Sequence, residues 1–436
     1  MVITNFKNLA RNPLRKKALL IAEAGYQAID ITKTVNQKIK LKNNKLSIFG
    51  AMTRHSIEKR LDLDLDNYKK IFLVGIGKGS ALTCASLAKI LGKKLSDGIA
   101  LDVQKPKSSF LIPHFSFLAG THPLPSQKNV KATQKIVKLV KNLKKDDLLI
   151  NFICGGGSAL ACSSQKELKD LILVTKLLTK SGANILELNT VRKHLSEIKG
   201  GGLAKIAYPA TVVSLIASDV IGNDLSMVAS GPTAFDKTTK KDAEKVLKKY
   251  NLSPKRFSLK EAPNERKYFK KVKNILFVCN QDAVLAMNKK AKKLGFKPKI
   301  YSLAVKGEAR RALLPMIEKV KAREALLAAG ETTVNLDNRP IGKGGRNMEA
   351  VLGALTQLKT KNLVLLSFAS DGRDNTEAAG AIGDFFTLEK AKKLKLEPEE
   401  FLNQNNSFNF FKKTGDLIFT KSKSFNVSDL MIILKQ

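Results

Sequence analysis

The sequence predicts an α/β protein built on a largely parallel sheet. Short runs of β-branched and apolar residues alternate with longer segments of helical period, which is the pattern of strands joined by crossover helices. Loops rich in glycine and polar residues directly follow several of these runs, and in a parallel sheet such loops meet at the carboxyl edge, where ligands bind. The six candidate buried strands are Ile71–Gly75, Leu148–Cys154, Thr211–Ser218, Ile275–Cys279, Leu326–Gly330 and Leu363–Phe368.

Two of the predicted helices have clear end signals. Asn12 can cap a helix whose first position is Pro13, because proline there loses no hydrogen bond. A second helix is expected over residues 283–294 and ends at Gly295, a residue suited to a left-handed cap.

A chain of 436 residues is long enough for two or three domains. The stretch from Lys237 to Lys273 is charged and turn-rich, contains Pro254 and Pro263, and predicts a connection with a short helix inside. We therefore expect a first domain over residues 1–240, a connecting segment over 241–272 and a second domain over 273–436.

The charge balance is strongly basic, with 77 lysines and arginines against 38 acidic residues, a net charge of +39. Such a field attracts nucleic acid and steers anionic substrates. The lysines, however, are spread over the polar sides of helix-like segments, and no nucleic-acid-binding motif accompanies them. This distribution favours a solvated lysine-rich surface over a specific nucleic-acid footprint.

Cysteine content and hydropathy indicate a reducing, cytoplasmic location. The four cysteines, Cys84, Cys154, Cys162 and Cys279, show neither disulfide-scaffold density nor the spacing of a zinc site. No apolar run is long enough to span a membrane, and the basic N-terminal segment lacks the features of a signal peptide.

The first glycine loop, residues 75–80 (GIGKGS), lies between a predicted strand and a helix. Unpaired amides at such a helix start, together with Gly75, Gly77 and Lys78, predict an anion site, with a tight turn as the plainer alternative. The spacing is GxGxG instead of GxGxxG. With Asp102 near the end of the next strand, it matches a dinucleotide fingerprint only in part.

The second glycine loop holds Gly155, Gly156, Gly157 and Ser158 directly after a buried strand. Consecutive glycines are conformationally costly and indicate close approach of the backbone to a ligand, for which a phosphate chain is the best candidate. The spacing is not that of a Walker loop, and a sharp turn without a ligand is the alternative.

Charged residues that could bind an anion or a metal ion come after the second glycine loop in the sequence. Arg192, Lys193 and Lys199 form a predicted cationic cluster suited to a carboxylate or phosphate, whereas the neighbouring His194 is expected to be a structural hydrogen-bond donor. Asp219, at the end of a predicted strand, can hold Mg²⁺ or accept a hydroxyl proton.

Two loops of the second half carry further charge: Gly342–Asn347 with Arg346, and Ser370–Asp374 with Asp371 as a metal candidate. Glycine cradles, cationic clamps and candidate metal ligands together are the inventory of phosphoryl transfer, which needs positioning and charge neutralisation. The sequence has no GxSxG or HExxH motif for hydrolytic chemistry.

Eight ordered segments resemble those of the two-domain glycerate 2-kinases of the MOFRL type. They are GIGKGS (75–80), GTHPLPS (120–126), CGGGSAL (154–160), NTVRKHLSEIKGGGLA (189–204), SDVIGNDLSMVASGPT (218–233), GETTV (330–334), GKGGRNMEA (342–350) and SDGRDNTEAAGA (370–381).

The resemblance implies phosphorylation of D-glycerate to 2-phosphoglycerate by ATP and Mg²⁺. The expected site is a cleft between a Rossmann-like N-terminal domain and a smaller α/β C-terminal (MOFRL) domain. It also implies that Lys78 and Arg346 are the key cationic catalytic residues. To these we add our own assignments: the loop 155–158 for phosphates, Arg192 for the glycerate carboxylate, and Asp219 and Asp371 for Mg²⁺ or the substrate hydroxyl.

The chain departs from the family pattern at several positions. It has Ser126 where the family has aspartate, Ala329 where it has glycine and Met348 where it has glutamine. Residues 375–377 also differ, and a serine- and lysine-rich segment over 420–427 replaces a glycine-rich turn, so that its contact with ligand is an open question.

Two other functions and one assembly state stay open. The alternatives are an NAD(P)H-dependent hydroxypyruvate or tartronate reductase and a basic nucleic-acid-binding protein. The expected partner is the small molecule D-glycerate, with no specific nucleic acid and no membrane, and a homodimer is an open alternative.

Overall fold

The computed structural model describes residues 1–50, 59–105, 112–336, 340–421 and 423–436. The chain divides into two compact units. The continuous unit is Thr34–Val278, and the split unit combines Met1–Lys33 with Cys279–Gln436. Ser422, in the segment that departs from the family pattern near the C-terminus, lies outside the described residues.

The helices among the described residues are, in chain order, α1 Phe6–Leu9, α2 Pro13–Ala28, α3 Ile31–Lys38, α4 Ser80–Leu91, α5 Gln127–Lys141, α6 Gly157–Leu160, α7 Gln165–Lys180, α8 Ile185–His194, α9 Gly202–Ala207, α10 Lys240–Lys249, α11 Asn280–Lys293, α12 Leu314–Lys319, α13 Arg346–Leu355, α14 Phe385–Lys393, α15 Pro398–Asn403 and α16 Ser407–Thr414. The strands are β1 Ile39–Lys42, β2 Lys45–Gly50, β3 Lys59–Asp64, β4 Lys70–Ile76, β5 Leu95–Asp102, β6 Phe115–Ala119, β7 Asp147–Ile153, β8 Thr211–Ala217, β9 Val272–Val278, β10 Lys297–Val305, β11 Glu324–Gly330, β12 Leu363–Ala369, β13 Gly380–Asp384, β14 Leu417–Ile418 and β15 Asp429–Lys435. Within the part of the chain that the structure describes, every helix falls short of the length and apolarity that a bilayer crossing requires.

The continuous unit is built on a six-stranded sheet of order β6-β5-β4-β7-β8-β9, in which every neighbouring pair is parallel. The central strand β7 is buried along its whole length, as expected for a parallel strand covered on both faces. A separate antiparallel sheet joins β1, β2 and β3. This arrangement confirms the predicted α/β class with a parallel sheet and places the ends of β4, β7 and β8 at one edge.

The split unit has a mixed sheet of order β10-β11-β15-β12-β13-β14. Only β10 and β11 are parallel, because the C-terminal strand β15 inserts antiparallel to both β11 and β12. A buried core that includes Leu352, Leu365 and Phe410 packs around it. A smaller α/β unit in the second half of the chain is therefore confirmed.

All six predicted strands are present, and both predicted helices form. The Asn12 side chain accepts a hydrogen bond from the Arg15 amide ahead of α2, and α11 ends just before Gly295, whose φ is +86°. The strand predicted at residues 275–279 corresponds to β9 and lies at the edge of the continuous unit's sheet, beside β8.

The first 33 residues lie in the split unit, whereas the sequence reading placed them with the first domain. Buried Arg15 explains their position, because its guanidinium pairs with Asp384 and Asp416 at 2.6 and 2.7 Å. The hydroxyl of buried Tyr26 donates to the Ala369 carbonyl at 2.9 Å. Contacts between residues so far apart in the chain leave no local signal in the sequence.

Candidate functional site

The amides of the first glycine loop are already hydrogen-bonded within the protein. The Asp102 carboxylate accepts from the amides of Gly79 and Ala81 at 2.9 and 3.0 Å. Gly77 donates to the Leu101 carbonyl, and Lys78 to that of Gly155. Burial raises the pKa of Asp102, and these amides oppose that rise. The cradle of unpaired amides predicted here is therefore occupied by a carboxylate of the chain itself.

Gly75 and Gly77 are required by close packing at the start of α4. A Cβ on Gly77 would overlap Cys154, and one on Gly75 would overlap the Cys84 sulfur. Gly77 also has a φ of +125°, which favours glycine. Through this packing, the first glycine loop lies directly against the second.

The second glycine loop keeps unpaired donors. Within the described residues, no acceptor lies in hydrogen-bond range of the amides of Gly155, Gly156 and Ser158. By contrast, the amide of Gly157 donates to the Cys154 carbonyl. Gly155 is buried, whereas Gly156 and Ser158 are partly exposed, so these three donors can be completed by an anion or by water.

Three chemically active side chains surround this loop. A Cβ added to Gly155 would overlap the Asp219 carboxylate, so that this carboxylate lies directly against the loop. On the other side, side-chain carbons of Lys78 and His122 lie 3.0 and 3.3 Å from the point where a Cβ on Gly156 would be. The structure thus brings together Lys78, Asp219 and the loop, as predicted from the sequence, and adds His122.

Positive charge and partial burial perturb the side chains around the loop. His122 is an exposed residue, and partial desolvation together with the positive charges of Lys78 and Arg192 lowers the pKa of its imidazole. Burial lowers the pKa of Arg192 to about 10. The Arg192 guanidinium hydrogen-bonds to the Thr175 hydroxyl at 3.2 Å, and among the described residues it has no carboxylate within ion-pair distance.

The residues of the predicted cationic cluster, Arg192, Lys193 and Lys199, differ in how their charges are paired. Buried Lys193 pairs with Asp236 at 3.0 Å, and buried Lys199 pairs with Glu167 at 2.9 Å. His194 is buried and hydrogen-bonded to the Lys260 carbonyl, which fits the structural role expected for it. Of these cations, Arg192 alone lacks a carboxylate partner among the described residues and is available to an anion.

A strained turn over residues 229–231 packs against the second glycine loop. Ala229, Ser230 and Gly231 are consecutive left-handed residues, with φ values of 51°, 60° and 61°. Such strain persists only where the surroundings enforce it, and it is common at functional sites. The Ser230 hydroxyl contacts that of Ser158 at 2.9 Å, and a Cβ on Gly157 would overlap Ala229. We call this loop with Lys78, His122, Arg192 and Asp219 the glycine-loop site.

The split unit holds a second candidate region around Arg346, the first residue of α13. Its guanidinium donates to both oxygens of Asp429, at 2.5 and 3.2 Å, and to Glu331 at 2.5 Å. These two carboxylates raise the pKa of Arg346 and hold its charge. A cavity of about 440 Å³ adjoins it, lined in part by Thr332 and Thr333.

Asp429 and Asp374, which the sequence reading did not single out, organise the start of α13. Asp374 accepts from the amides of Asn347 and Met348, both at 3.0 Å, and so caps the helix. Burial raises the pKa of Asp429 to about 7, and the Arg346 charge opposes this rise. Asp374 could have been found from the sequence, because it lies in the SDGRDN motif three residues after Asp371. Asp429 begins the last strand, and no sequence motif there marks it as a functional residue.

Asp371 lies in the turn after β12, where its carboxylate accepts from the Arg373 amide at 3.1 Å. Among the described residues, no group of three His, Cys, Asp or Glu side chains is placed to hold a metal ion. A metal bound at Asp219 or Asp371 would need oxygens from a ligand as well, as is usual for Mg²⁺ with nucleotides.

Comparison with known proteins gives a consistent match along the chain. Residues 17–262 match a family described as a domain of unknown function, DUF4147, and residues 324–429 match the MOFRL family. The D-glycerate 2-kinase of Thermotoga maritima is 34% identical over 420 residues, which cover 91% of this chain and 97% of that protein. A protein of Agrobacterium vitis named as a putative hydroxypyruvate reductase is 35% identical over 382 residues, covering 83% of this chain and 86% of that one.

The fold is also shared with a solved structure. The crystal structure of glycerate kinase from Thermotoga maritima has a TM-score of 0.80 and 31% sequence identity, and the match covers 97% of this chain and 99% of that chain. With DUF4147 matching more than half of its length and MOFRL matching most of the remainder, this chain belongs to the two-domain DUF4147–MOFRL family that includes the glycerate 2-kinases.

Proposed function

We propose that this chain is a glycerate 2-kinase, which transfers the γ-phosphoryl group of ATP to the 2-hydroxyl of D-glycerate. The observation that carries the proposal is the glycine-loop site, where three unpaired amides lie beside Lys78 and the Arg192 guanidinium lacks a carboxylate partner among the described residues. The activity named for relatives that match along most of the chain supports it.

Phosphoryl transfer depends on positioning and on neutralising charge, and the site supplies both. The amides of Gly155, Gly156 and Ser158 and the Lys78 ammonium bind phosphate oxygens. Arg192 binds the carboxylate of glycerate, because a guanidinium without a partner gains most from a bidentate anion. The 2-hydroxyl oxygen forms the new bond to phosphorus, the bond between the γ-phosphorus and the ADP oxygen breaks, and the hydroxyl proton leaves to a nearby base.

Asp219 lies where it can accept that proton or bind a metal ion. The described oxygens suit Mg²⁺, which prefers carboxylate and phosphate ligands. When bound, Mg²⁺ would neutralise charge on the phosphate chain. Asp371 of the split unit, held by the Arg373 amide, is the second candidate metal ligand.

Arg346 is proposed as a second cationic catalytic residue. Two carboxylates fix the plane of its guanidinium, while its side chain keeps 31% of its surface exposed. A cation that is held in place and still partly accessible can stabilise charge on a transferring phosphoryl group without reorganising.

A reductase is the second candidate, because some relatives carry that name. NAD(P)H binding at the first glycine loop would require free amides and a free acidic residue for the ribose. Asp102 instead occupies those amides. Oxidation of NADH or NADPH with hydroxypyruvate, followed by the loss of the reduced cofactor's absorbance, tests this alternative, and we expect no turnover.

A coupled assay for ADP with ATP, Mg²⁺ and D-glycerate tests the kinase. Lys78→Met and Arg346→Met are each expected to lower kcat by about 10²–10³-fold, with Lys135→Met and Arg256→Met as exposed controls that keep activity. Lack of glycerate-dependent ADP release by the unmodified chain would reject the function, and near-normal turnover of either variant would remove that residue from the mechanism.

A further inference from the structure

The direction of two hydrogen bonds fixes what the Ser158 hydroxyl can do. The fully buried Ser230 hydroxyl lies 3.2 Å from the side-chain oxygen of Asn189 and 2.9 Å from the Ser158 hydroxyl. An amide oxygen only accepts, so Ser230 donates its single hydrogen to Asn189. Ser158 must therefore donate its own hydrogen to Ser230, and only lone pairs remain on the Ser158 oxygen.

An oxygen without a hydrogen to give cannot bind phosphate as a donor, because phosphate oxygens at neutral pH are themselves acceptors. Its lone pairs suit a hard cation. The same four-residue loop has the Asp219 carboxylate against its first residue, Gly155, and the Ser158 hydroxyl on its last. The loop thus combines amides that attract an anion with two oxygens that attract a cation.

We propose that Ser158 Oγ and the Asp219 carboxylate, in place of the candidate Asp371, are the two protein ligands of the divalent cation that accompanies the nucleotide. This inference rests on the proposed kinase function and assigns Ser158 to the metal ion, whereas its amide alone binds phosphate. One or two protein oxygens, with phosphates and water, form the usual shell of Mg²⁺ at nucleotides.

The strained turn then has a purpose in the site. The carbonyl of Ser230 accepts from the Gly200 amide at 2.9 Å, and that of Gly231 accepts from Gly201 at 2.8 Å. These bonds hold Ser230 in its left-handed conformation, between Asn189 and Ser158. Ser230 is thus a positioning residue that keeps the hydrogen of Ser158 turned away from the ligand.

Replacing the oxygen by a softer atom tests the proposal directly. Ser158→Cys puts a thiol at the ligand position, and thiolates prefer Cd²⁺ to Mg²⁺. Titration of this variant with CdCl₂ in the presence of ADP is expected to give the ultraviolet thiolate-to-cadmium band with a 1:1 end point. The band should require ADP and should weaken at least about 10-fold in affinity when Asp219→Asn is added.

The matched control is Ser181→Cys, an exposed serine after α7, which should give no ADP-dependent band. A folded Ser158→Cys variant without the band, or a band indifferent to Asp219→Asn, overturns the proposal. The measurement needs no turnover, so an ADP-dependent band in a chain that fails the kinase assay would reject the kinase function and keep the metal site.

A second test leaves the proposed metal ligand Ser158 in place and changes Ser230, which holds its hydrogen. Ser230→Ala removes the acceptor for the Ser158 hydrogen. With MnCl₂ and ADP, electron paramagnetic resonance of free Mn²⁺ should show about 10-fold weaker binding for Ser230→Ala than for the unmodified chain, whereas Ser181→Ala, at an exposed serine, should bind Mn²⁺ as the unmodified chain does. Equal Mn²⁺ affinity in Ser230→Ala and the unmodified chain would contradict the positioning role and with it the hydrogen-bond direction on which the proposal depends.

Discussion

Replacing Arg192 by methionine should make the protein more stable and a worse enzyme. Burial lowers the pKa of the guanidinium from 12.5 to about 10, which at about 1.4 kcal/mol per pKa unit is a cost of about 3 kcal/mol for holding the charge. Because the folded pKa of this base is the lower one, the cost is present at every pH below about 10. Methionine removes the charge and keeps much of the packing.

The expected gain in stability of Arg192→Met is reduced because the hydrogen bond to Thr175 is lost. The 3.2 Å hydrogen bond from the charged guanidinium to the Thr175 hydroxyl contributes about 1.5 kcal/mol, so Arg192→Met should raise the free energy of unfolding by about 1.5 kcal/mol. The same change removes the proposed partner of the glycerate carboxylate. A hydrogen bond to a charged group is worth about 1.5–3 kcal/mol, which predicts a rise of about 10–100-fold in KM for D-glycerate.

Urea unfolding at pH 7 and steady-state kinetics at saturating ATP measure the two effects. Arg256→Met, at an exposed arginine in a short 3₁₀ turn, is the control and should change stability by less than about 0.5 kcal/mol. If Arg192→Met destabilises the fold while KM for glycerate is unchanged, Arg192 is a structural residue and the interpretation of the site is wrong.

Three further changes test other parts of the structure. Gly155→Ala should abolish ADP-linked turnover while the fold persists by circular dichroism, because its methyl group would overlap the Asp219 carboxylate. Arg15→Met should lower the free energy of unfolding by about 3–5 kcal/mol in urea, since it leaves buried Asp384 without its cation and buried Asp416 with only Arg11, at 3.1 Å. Burial raises the folded pKa of Asp429 to about 7, so the contribution of Asp429 to stability falls as pH rises from about 4 to 7. In Asp429→Asn this contribution is absent, and the pH dependence of Tm over the same range should flatten. An unchanged slope of Tm against pH would contradict the raised pKa.

The strands could be predicted from the sequence because their signal is local. Residues 148–154 are apolar apart from Asn151, and a run of that length and composition is typical of a strand buried on both faces. The placement of β9 beside β8, and of α2 in the split unit, depends on pairings between residues distant in the chain. No periodicity records such pairings, so domain membership could not be predicted in the same way.

In the candidate site, too, local features could be predicted from the sequence and long-range contacts could not. The glycine-rich loops after strands drew attention to Lys78 and Asp219, whose side chains lie against Gly156 and Gly155 in the structure. Which of the two loops has free amides could not be predicted, because this depends on whether the Asp102 carboxylate reaches the first loop. His122 was also missed: a lone histidine gives no local signal, and its role emerges only from its packing beside Gly156.

The pairing of buried charge separates structural cations from functional ones in this chain. Arg15, Lys193 and Lys199 are all buried, and each has a carboxylate within 3.0 Å, as the cost of burying a charge requires. Arg192 bears the same kind of cost without a carboxylate among the described residues. The unpaired amides of the second glycine loop lie in the same region of the continuous unit. A fold selected only for stability is expected to lack such features, as the predicted gain in stability of Arg192→Met would show. Their coincidence at one loop supports the proposal that an anion binds there and supplies the missing partners.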